Sequence, residues 1–203
     1  MPDIDHNTES AIFSAAKRIF TDRGFDGTRM HLIADEAGIN KALLHYYFRS
    51  KEKLFEAVIK DITKTYIPAI NRITTTALPL FEKIRLFVNI FSDILSRNPN
   101  LAGFVLNELR INPGRFTKIL KEAGIDLAPV KEQLENEMAA GNIRAIKTNH
   151  LLTNLISLTV FPFIAKSFYQ EFAGMDEKLF SQFTEERKTL IPEIIIQSIK
   201  VLK

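Results

Sequence analysis

Apolar residues recur at helical spacing along nearly all of this 203-residue chain. No run of four to eight residues alternates apolar and polar side chains between turn signals, as a half-buried strand would. Glycine and proline interrupt the helical pattern at intervals, among them Gly24, Gly38, Pro99 and Gly141. Such residues are typical of helix ends. The pattern therefore predicts an all-α protein.

The first 50 residues predict three short helices. The first spans Thr8 to Arg23 and ends at Gly24. We expect Thr28 to cap the second helix and Gly38 to stop it, because a hydroxyl suits an N-cap and glycine suits a C-terminal turn. Asn40 is expected to cap the third.

A longer helix follows, capped by Ser50, and Pro68 is expected to end or kink it. Threonines 74–76 then form a polar run typical of a linker. The pattern predicts an amino-terminal helical domain, a connecting helix and linker, and a carboxy-terminal helical domain, over residues 1–50, 51–76 and 77–203 respectively.

Two segments of the second domain are apolar almost all round. They span Thr148 to Phe172 and Leu190 to Leu202, and Pro192 either begins a final helix or kinks a longer one. The first includes an uncharged stretch with asparagines and Pro162 inside it, which favours a buried helix over a membrane span. Because these surfaces exceed what one small domain can bury, we expect a homodimer interface.

The composition excludes several classes of function. The net charge of +3 is too small to indicate a nucleic-acid partner by itself. Cysteine is absent, which excludes thiolate catalysis and cysteine zinc sites. The polar start lacks the apolar run of a secretory signal, so we expect a cytoplasmic protein. No second histidine and no pair of carboxylates on one helical face accompanies His31 or His150, so we expect no metal and no cofactor.

The stretch AGINKALLHYYFRSKEKL, residues 37–54, has the pattern of a helix-turn-helix. Its second helix places Leu44, Tyr47 and Phe48 on one side at about 100° per residue. Between residues 39 and 53 there are four cations and one acid, a local charge of +3. This favours a face that meets phosphates and base edges. The opposite side of the helix carries Lys41, Ala42, His45, Tyr46 and Arg49.

The segment TRMHLIADEAGINKALLHYYFRSKEKLFEAV resembles the DNA-binding signature of the tetracycline-repressor (TetR) family of bacterial regulators. The resemblance implies a homodimeric regulator, most typically a repressor, that leaves a palindromic operator in double-stranded DNA when a small apolar or amphipathic effector binds. It also implies a set of DNA contacts: Thr28, Arg29, Lys41, Ala42, Leu43, His45, Tyr46, Tyr47 and Lys51.

Three positions depart from the family pattern. His45 stands where tyrosine is usual, Leu43 where threonine or serine is common, and Ala42 where glycine is common. These residues lie on or beside the presented face, so they bear on which bases are preferred.

The chain has 16 phenylalanines and no tryptophan. Ligand pockets are mostly apolar with a few placed polar groups. We therefore expect an effector pocket in the second domain that draws on these aromatic residues and on polar residues within apolar helices. The candidates are Phe87, Phe91, Phe104, Asn107, Asn154, Ser157 and Phe161.

Other classes of function remain open at this stage. The chain could be a helical interaction module or a ligand-binding protein whose helix-turn-helix has lost affinity for DNA. An enzyme is the third possibility, but the sequence has no G-x-S-x-G, H-E-x-x-H or phosphate-binding glycine loop, so no enzyme is expected.

Overall fold

The computed structural model describes residues 6–201 and is 81% helical, with no strand among those residues. The all-α prediction is confirmed. The helices of the described part are α1 (His6–Gly27), α2 (Met30–Glu36), α3 (Lys41–Tyr47), α4 (Lys51–Thr75), α5 (Leu80–Arg97), α6 (Leu101–Ile111), α7 (Pro113–Glu122), α8 (Ala128–Ala139), α9 (Thr148–Ile164), α10 (Lys166–Ala173) and α11 (Glu177–Ile199).

The chain forms two compact units. The first contains the described residues up to Thr65 together with Gly103–Ala123. The second contains Tyr66–Ala102 and the described residues from Gly124 onward. The expected division placed everything after residue 76 in one domain. The observed division differs from this expectation because most of α6 and all of α7 pack with the amino-terminal helices.

The first unit is built on a break in α1. Gly24 has φ 69° and ψ −179°, a conformation that side chains disfavour, so the chain turns there as predicted. The Thr28 hydroxyl donates to the Gly24 carbonyl at 2.7 Å, and α2 begins after Arg29 without a side-chain cap. The expectation that Thr28 caps α2 is therefore wrong. The hydroxyl instead satisfies a carbonyl left free by the break.

Three aromatic rings fill the core of this unit. The Phe55 ring lies 4.9 Å from the rings of Phe20 and Phe25, at steep angles of 80° and 69°. Phe104 approaches Phe55 at 5.9 Å between centroids. Edge-to-face contacts of this kind add to the stabilisation from burial. They join α1, α4 and α6 into one core.

The second unit packs α5, α9 and α11 around a buried aliphatic cluster. Its members include Ile84, Val88, Leu155, Ile191 and Ile195. The Lys188 ammonium of α11 donates to the Asp93 carboxylate of α5 at 2.6 Å. The core of the second unit is therefore a three-helix layer with an ion pair at its side.

The predicted continuous helix from residue 148 to 172 is wrong. It breaks at Ala165, which has φ −90° and ψ 14°, so α9 and α10 differ in direction by 61°. Pro162 has no N–H for the Leu158 carbonyl, and Arg187 donates to that carbonyl at 2.9 Å instead. Within the described chain, no single helix is long and apolar enough to cross a membrane; α9 and α10 together meet that composition only as a bent pair.

Two other expectations about helices are decided here. Pro192 lies inside α11, so it interrupts a longer helix and does not begin one. The α9 helix is buried on one side only, through residues such as Leu151, Leu155 and Phe163. Ile156 and Phe161 are exposed. The expectation of a buried helix is therefore correct for one of its faces.

Replacing Gly24 with alanine is expected to lower the free energy of unfolding by about 1–3 kcal/mol, because an L side chain is strained at this backbone conformation. The added Cβ would also lie 2.6 Å from Nδ2 of Asn107. Chemical denaturation measures the loss. Gly103→Ala is the control, since Gly103 lies in α6 with nothing within 4 Å of its Cβ position. That change is expected to stabilise by about 0.5–1 kcal/mol. Equal effects at the two glycines would contradict the assignment.

Candidate nucleic-acid interface

The turn between α2 and α3 is set by one glycine and one cap. Gly38 has φ 67°, and a Cβ there would meet nothing within 4 Å, so the backbone angle and not space requires glycine. The N–H of Ile39 donates to the Ala34 carbonyl at 3.0 Å and closes the end of α2. Asn40 then accepts a hydrogen bond from the N–H of Leu43 at 2.8 Å. The predicted turn and the predicted Asn40 cap are both confirmed.

Packing against α2 fixes the rotation of α3 about its axis. Ile33, Ala34 and Leu44 are buried, and Phe48 is half-buried. The side of α3 opposite Leu44 faces outward. The exposed residues are the five expected from helical spacing: Lys41, Ala42, His45, Tyr46 and Arg49.

Tyr46 and Tyr47 have different environments although they are adjacent. Tyr46 is 57% exposed, whereas Tyr47 is half-buried beneath it. Their rings meet edge to face at 5.6 Å and 89°. Leu43 is also half-buried, at the margin of the outward face. Tyr47 therefore supports the ring that α3 presents.

Lys51 is held within the first unit by two carbonyls. Its ammonium donates to the carbonyls of Phe25 at 2.9 Å and Thr28 at 3.0 Å. It also lies 4.1 Å from the centroid of the Phe25 ring. An ammonium has three N–H donors, so one is not used by these carbonyls. Lys51 thus ties down the loop that leads into α2.

Thr28 needs a correction as a DNA contact. Its side chain is 1% exposed, its hydroxyl is used by Gly24, and its N–H donates to the Phe25 carbonyl at 3.2 Å. Burial removes it from the surface that a duplex could touch. Arg29, the next residue, is exposed at the start of α2. Arg29 is therefore the exposed cation of this loop.

Ser50 and Glu52 occupy the start of α4. The N–H of Lys53 donates to the Ser50 hydroxyl at 3.2 Å, which confirms the predicted cap. The Glu52 carboxylate accepts from its own backbone N–H and from Ser50, and these bonds lower its pKa. A charged acid therefore lies beside Lys51.

The structure does not bring the seven predicted effector residues together. Phe104 and Asn107 belong to the first unit, where Phe104 packs on Phe55 and Asn107 lies beside Gly24. Asn154, Ser157 and Phe161 face outward from α9. The expectation of a single pocket formed by all seven is wrong, because helical spacing alone could not distinguish the inner from the outer face of these helices.

Phe87 and Phe91 are the two candidates that are half-buried in the second unit. Their rings stack at 4.2 Å, and Phe87 packs against the aliphatic core. Lys83, one turn earlier on α5, is buried, and this burial lowers its pKa. Its ammonium approaches the Thr74 carbonyl at 3.4 Å. These three residues follow one side of α5.

The sequence reasoning missed a buried ion pair in the first unit. Glu108 on α6 is fully buried and accepts from Arg115 on α7 at 2.5 Å. The available signal was the spacing of Phe104 and Glu108, which places a carboxylate on the inner face of an apolar helix. A lone acid in such a helix is easily taken for a solvated residue.

A short capped helix that presents cations, an imidazole and a phenol, with its other side packed on a preceding helix, defines a helix-turn-helix DNA-binding domain. The sequence profile of bacterial regulatory proteins of the tetR family matches residues 12–58. Over these residues the chain is similar to that family.

Individual relatives agree with this assignment. The HTH-type transcriptional regulator RutR of Escherichia coli is 39% identical over 88 residues, which are 42% of each protein. The match thus spans about two fifths of that relative's length. The YttP protein of Bacillus subtilis is 24% identical over 93% of this chain and 94% of its own. The structure of a proposed fatty acid metabolism regulator of Clostridium perfringens, 22% identical, covers 95% of this chain and 100% of its own with a TM-score of 0.69, which supports the fold.

Removing the Asn40 side chain is expected to weaken α3. Asn40→Ala leaves the N–H of Leu43 without its partner and should lower the free energy of unfolding by about 1 kcal/mol. Asn40→Ser keeps an oxygen in reach and should cost only a few tenths of this. Urea denaturation of the three proteins measures the difference, and an alanine variant as stable as wild type would contradict the cap.

Proposed function

We propose that this protein is a transcriptional regulator that binds double-stranded DNA through the outward face of α3. The observation that carries the proposal is the arrangement of α3 itself: buried Leu44 fixes its rotation, and the opposite side is exposed over its whole length. A rigid helix of this kind fits the major groove. The names of several relatives, among them the HTH-type transcriptional repressor NicS of Pseudomonas putida, also describe regulators.

Each exposed residue has a role suited to its chemistry. Lys41 donates to guanine O6 or N7, and Ala42 allows the helix backbone to approach the bases. His45 and Tyr46 donate to phosphate oxygens or base edges. Leu43 lies at the margin, where it can contact a thymine methyl group.

The flanks of α3 position the domain on the DNA backbone. Arg29 and the third N–H of Lys51 contact phosphates, and Tyr47 supports Tyr46 from beneath. Contacts of this type set register and carry no sequence information. Base preference then depends on Lys41, Ala42, Leu43 and His45.

Binding of DNA is expected to fall steeply with salt and to depend on Lys41. If the lysine reads a base, Lys41→Ala should reduce the binding free energy by about 1–3 kcal/mol. If the lysine contacts a phosphate, the variant should instead reduce the slope of log affinity against log salt concentration by about one. The probe is a duplex selected from a random pool by the wild-type protein, and fluorescence anisotropy at several salt concentrations measures the binding.

Lys131→Ala is the matched control, because Lys131 is an exposed lysine of the second unit. It should bind as wild type does. If the wild-type protein binds no duplex at low salt, the chain is instead a ligand-binding or interaction module. The selected sequences would also reveal whether the site is a palindrome.

The second unit supplies the surface for a homodimer. Phe172 is 81% exposed and stacks on exposed Phe168 of the same helix, while Phe161 of α9 and Ile194 of α11 are exposed as well. Large apolar side chains in such numbers indicate an interaction surface. A second copy of this chain is the occupant that the function requires, because a palindrome is read by two equal heads.

Charges on this surface should separate the subunits. Phe161→Glu and Ile194→Glu are each expected to shift the protein to a monomer, since a carboxylate is costly in an apolar interface. Light scattering after gel filtration measures the mass. Leu127→Glu is the control, because Leu127 is exposed and lies between α7 and α8, outside these helices. A wild-type protein that is monomeric at micromolar concentration would refute the dimer.

We further propose that the protein is a repressor released by a small apolar or amphipathic effector that binds beside Phe87 and Phe91. Lys83 on the same side of α5 is the polar group there. An effector that weakens DNA binding must itself bind more weakly to the DNA-bound form by the same factor. A regulator that reads chromosomal DNA works in the cytoplasm, and no catalytic step is part of the proposal.

A further inference from the structure

Arg115 lies over two rings of the aromatic core in the first unit. The carbon at the centre of its guanidinium is 4.4 Å from the Phe25 centroid and 4.5 Å from the Phe55 centroid. Its side chain is 17% exposed. A planar guanidinium stacks well on aromatic faces, and lysine cannot replace it in this respect. Arg115 therefore fixes where the Phe25 ring lies.

Glu108 holds Arg115 in that place at a cost in free energy, because two polar atoms of the pair are left unsatisfied. The pair is joined by one hydrogen bond of 2.5 Å, and Oε1 of Glu108 and Nε of Arg115 are buried without a hydrogen-bond partner. Apolar residues of similar volume are often as stabilising as a buried ion pair, and an incompletely satisfied pair is a poor source of stability. Such a pair fits a role in selecting one conformation.

Phe25 connects Arg115 to a predicted phosphate contact. The Phe25 ring carries the Lys51 ammonium at 4.1 Å, and its carbonyl accepts from the same ammonium. The carbonyl of Thr28, just before Arg29, accepts from it too. The position of one ring thus sets the direction of the free N–H of Lys51 and the path of the loop that delivers Arg29.

We propose that Arg115, held by Glu108, is a positioning residue for DNA binding: it orients Lys51 and Arg29 through the Phe25 ring without touching the duplex. This inference rests on the proposed function. It assigns to α7, far along the chain from α3, a part in the DNA-binding surface.

The test uses variants that preserve the fold and remove the stack. The double variant Glu108→Leu, Arg115→Met replaces the buried pair with apolar residues of similar length and is expected to unfold at about the wild-type temperature. Its affinity for the selected duplex should nevertheless fall about tenfold, as expected when one charge-assisted hydrogen bond is lost. The salt dependence should weaken by about one phosphate contact.

Three further variants separate positioning from stability. Arg115→Lys retains the charge but not the planar stack, so it should also weaken binding, and it keeps the test decisive if the double variant fails to fold. Lys51→Met should weaken binding in the wild-type background and add little in the Arg115→Lys background, because both changes remove the same contact. Lys118→Met, an exposed lysine on the same helix, controls for net charge and should bind as wild type does.

The outcomes distinguish this inference from the proposed function. If wild type binds the duplex and Lys41→Ala weakens it, but the folded Arg115 variants bind with unchanged affinity and salt dependence, the positioning role is refuted and the regulator assignment stands. Additive effects of Lys51→Met and Arg115→Lys would also refute it. If wild type binds no duplex at low salt, the proposed function fails and this inference fails with it.

Discussion

The contact of Phe55 with Phe20 and Phe25 is the interaction on which the first unit depends. Phe20 and Phe25 lie on either side of the Gly24 break, and Phe55 comes from the second turn of α4. The three rings therefore hold the end of α1 and the start of α4 together. Because α2 and α3 lie between these two points in the chain, the rings also determine where the outward face of α3 is presented.

The cations of the first unit have two different environments. Lys51 and Arg115 lie against aromatic rings and bind carbonyls or a carboxylate of the protein. Arg29, Lys41 and Arg49 point outward. Since the net charge of the chain is only +3, the proposed binding of DNA gains little from long-range attraction and depends on the accuracy of short-range contacts. Internal cations that stiffen the domain suit this requirement.

The phenylalanines of the second unit lie partly in its core and partly on its surface. Phe163 and Phe180 are buried and meet edge to face at 6.1 Å. Phe161 and Phe172 are exposed although their segment is equally apolar. An isolated chain gains nothing from apolar side chains left in water, so the outward set is consistent with the proposed homodimer.

The sequence by itself determined most of the helices and their stops, and the face of α3, because these depend on neighbours three or four residues apart and on the angles that Gly24 and Gly38 must adopt. Asn40 and Ser50 could be identified as caps for the same reason. Only the tertiary structure decided that Thr28 bonds the Gly24 carbonyl, that α6 and α7 pack with the amino-terminal helices, and that Glu108 and Arg115 meet in the core. It also separated Asn154 and Phe161 from Phe87 and Phe91. Those outcomes depend on which distant helices pack together, and helical periodicity contains no information on that choice.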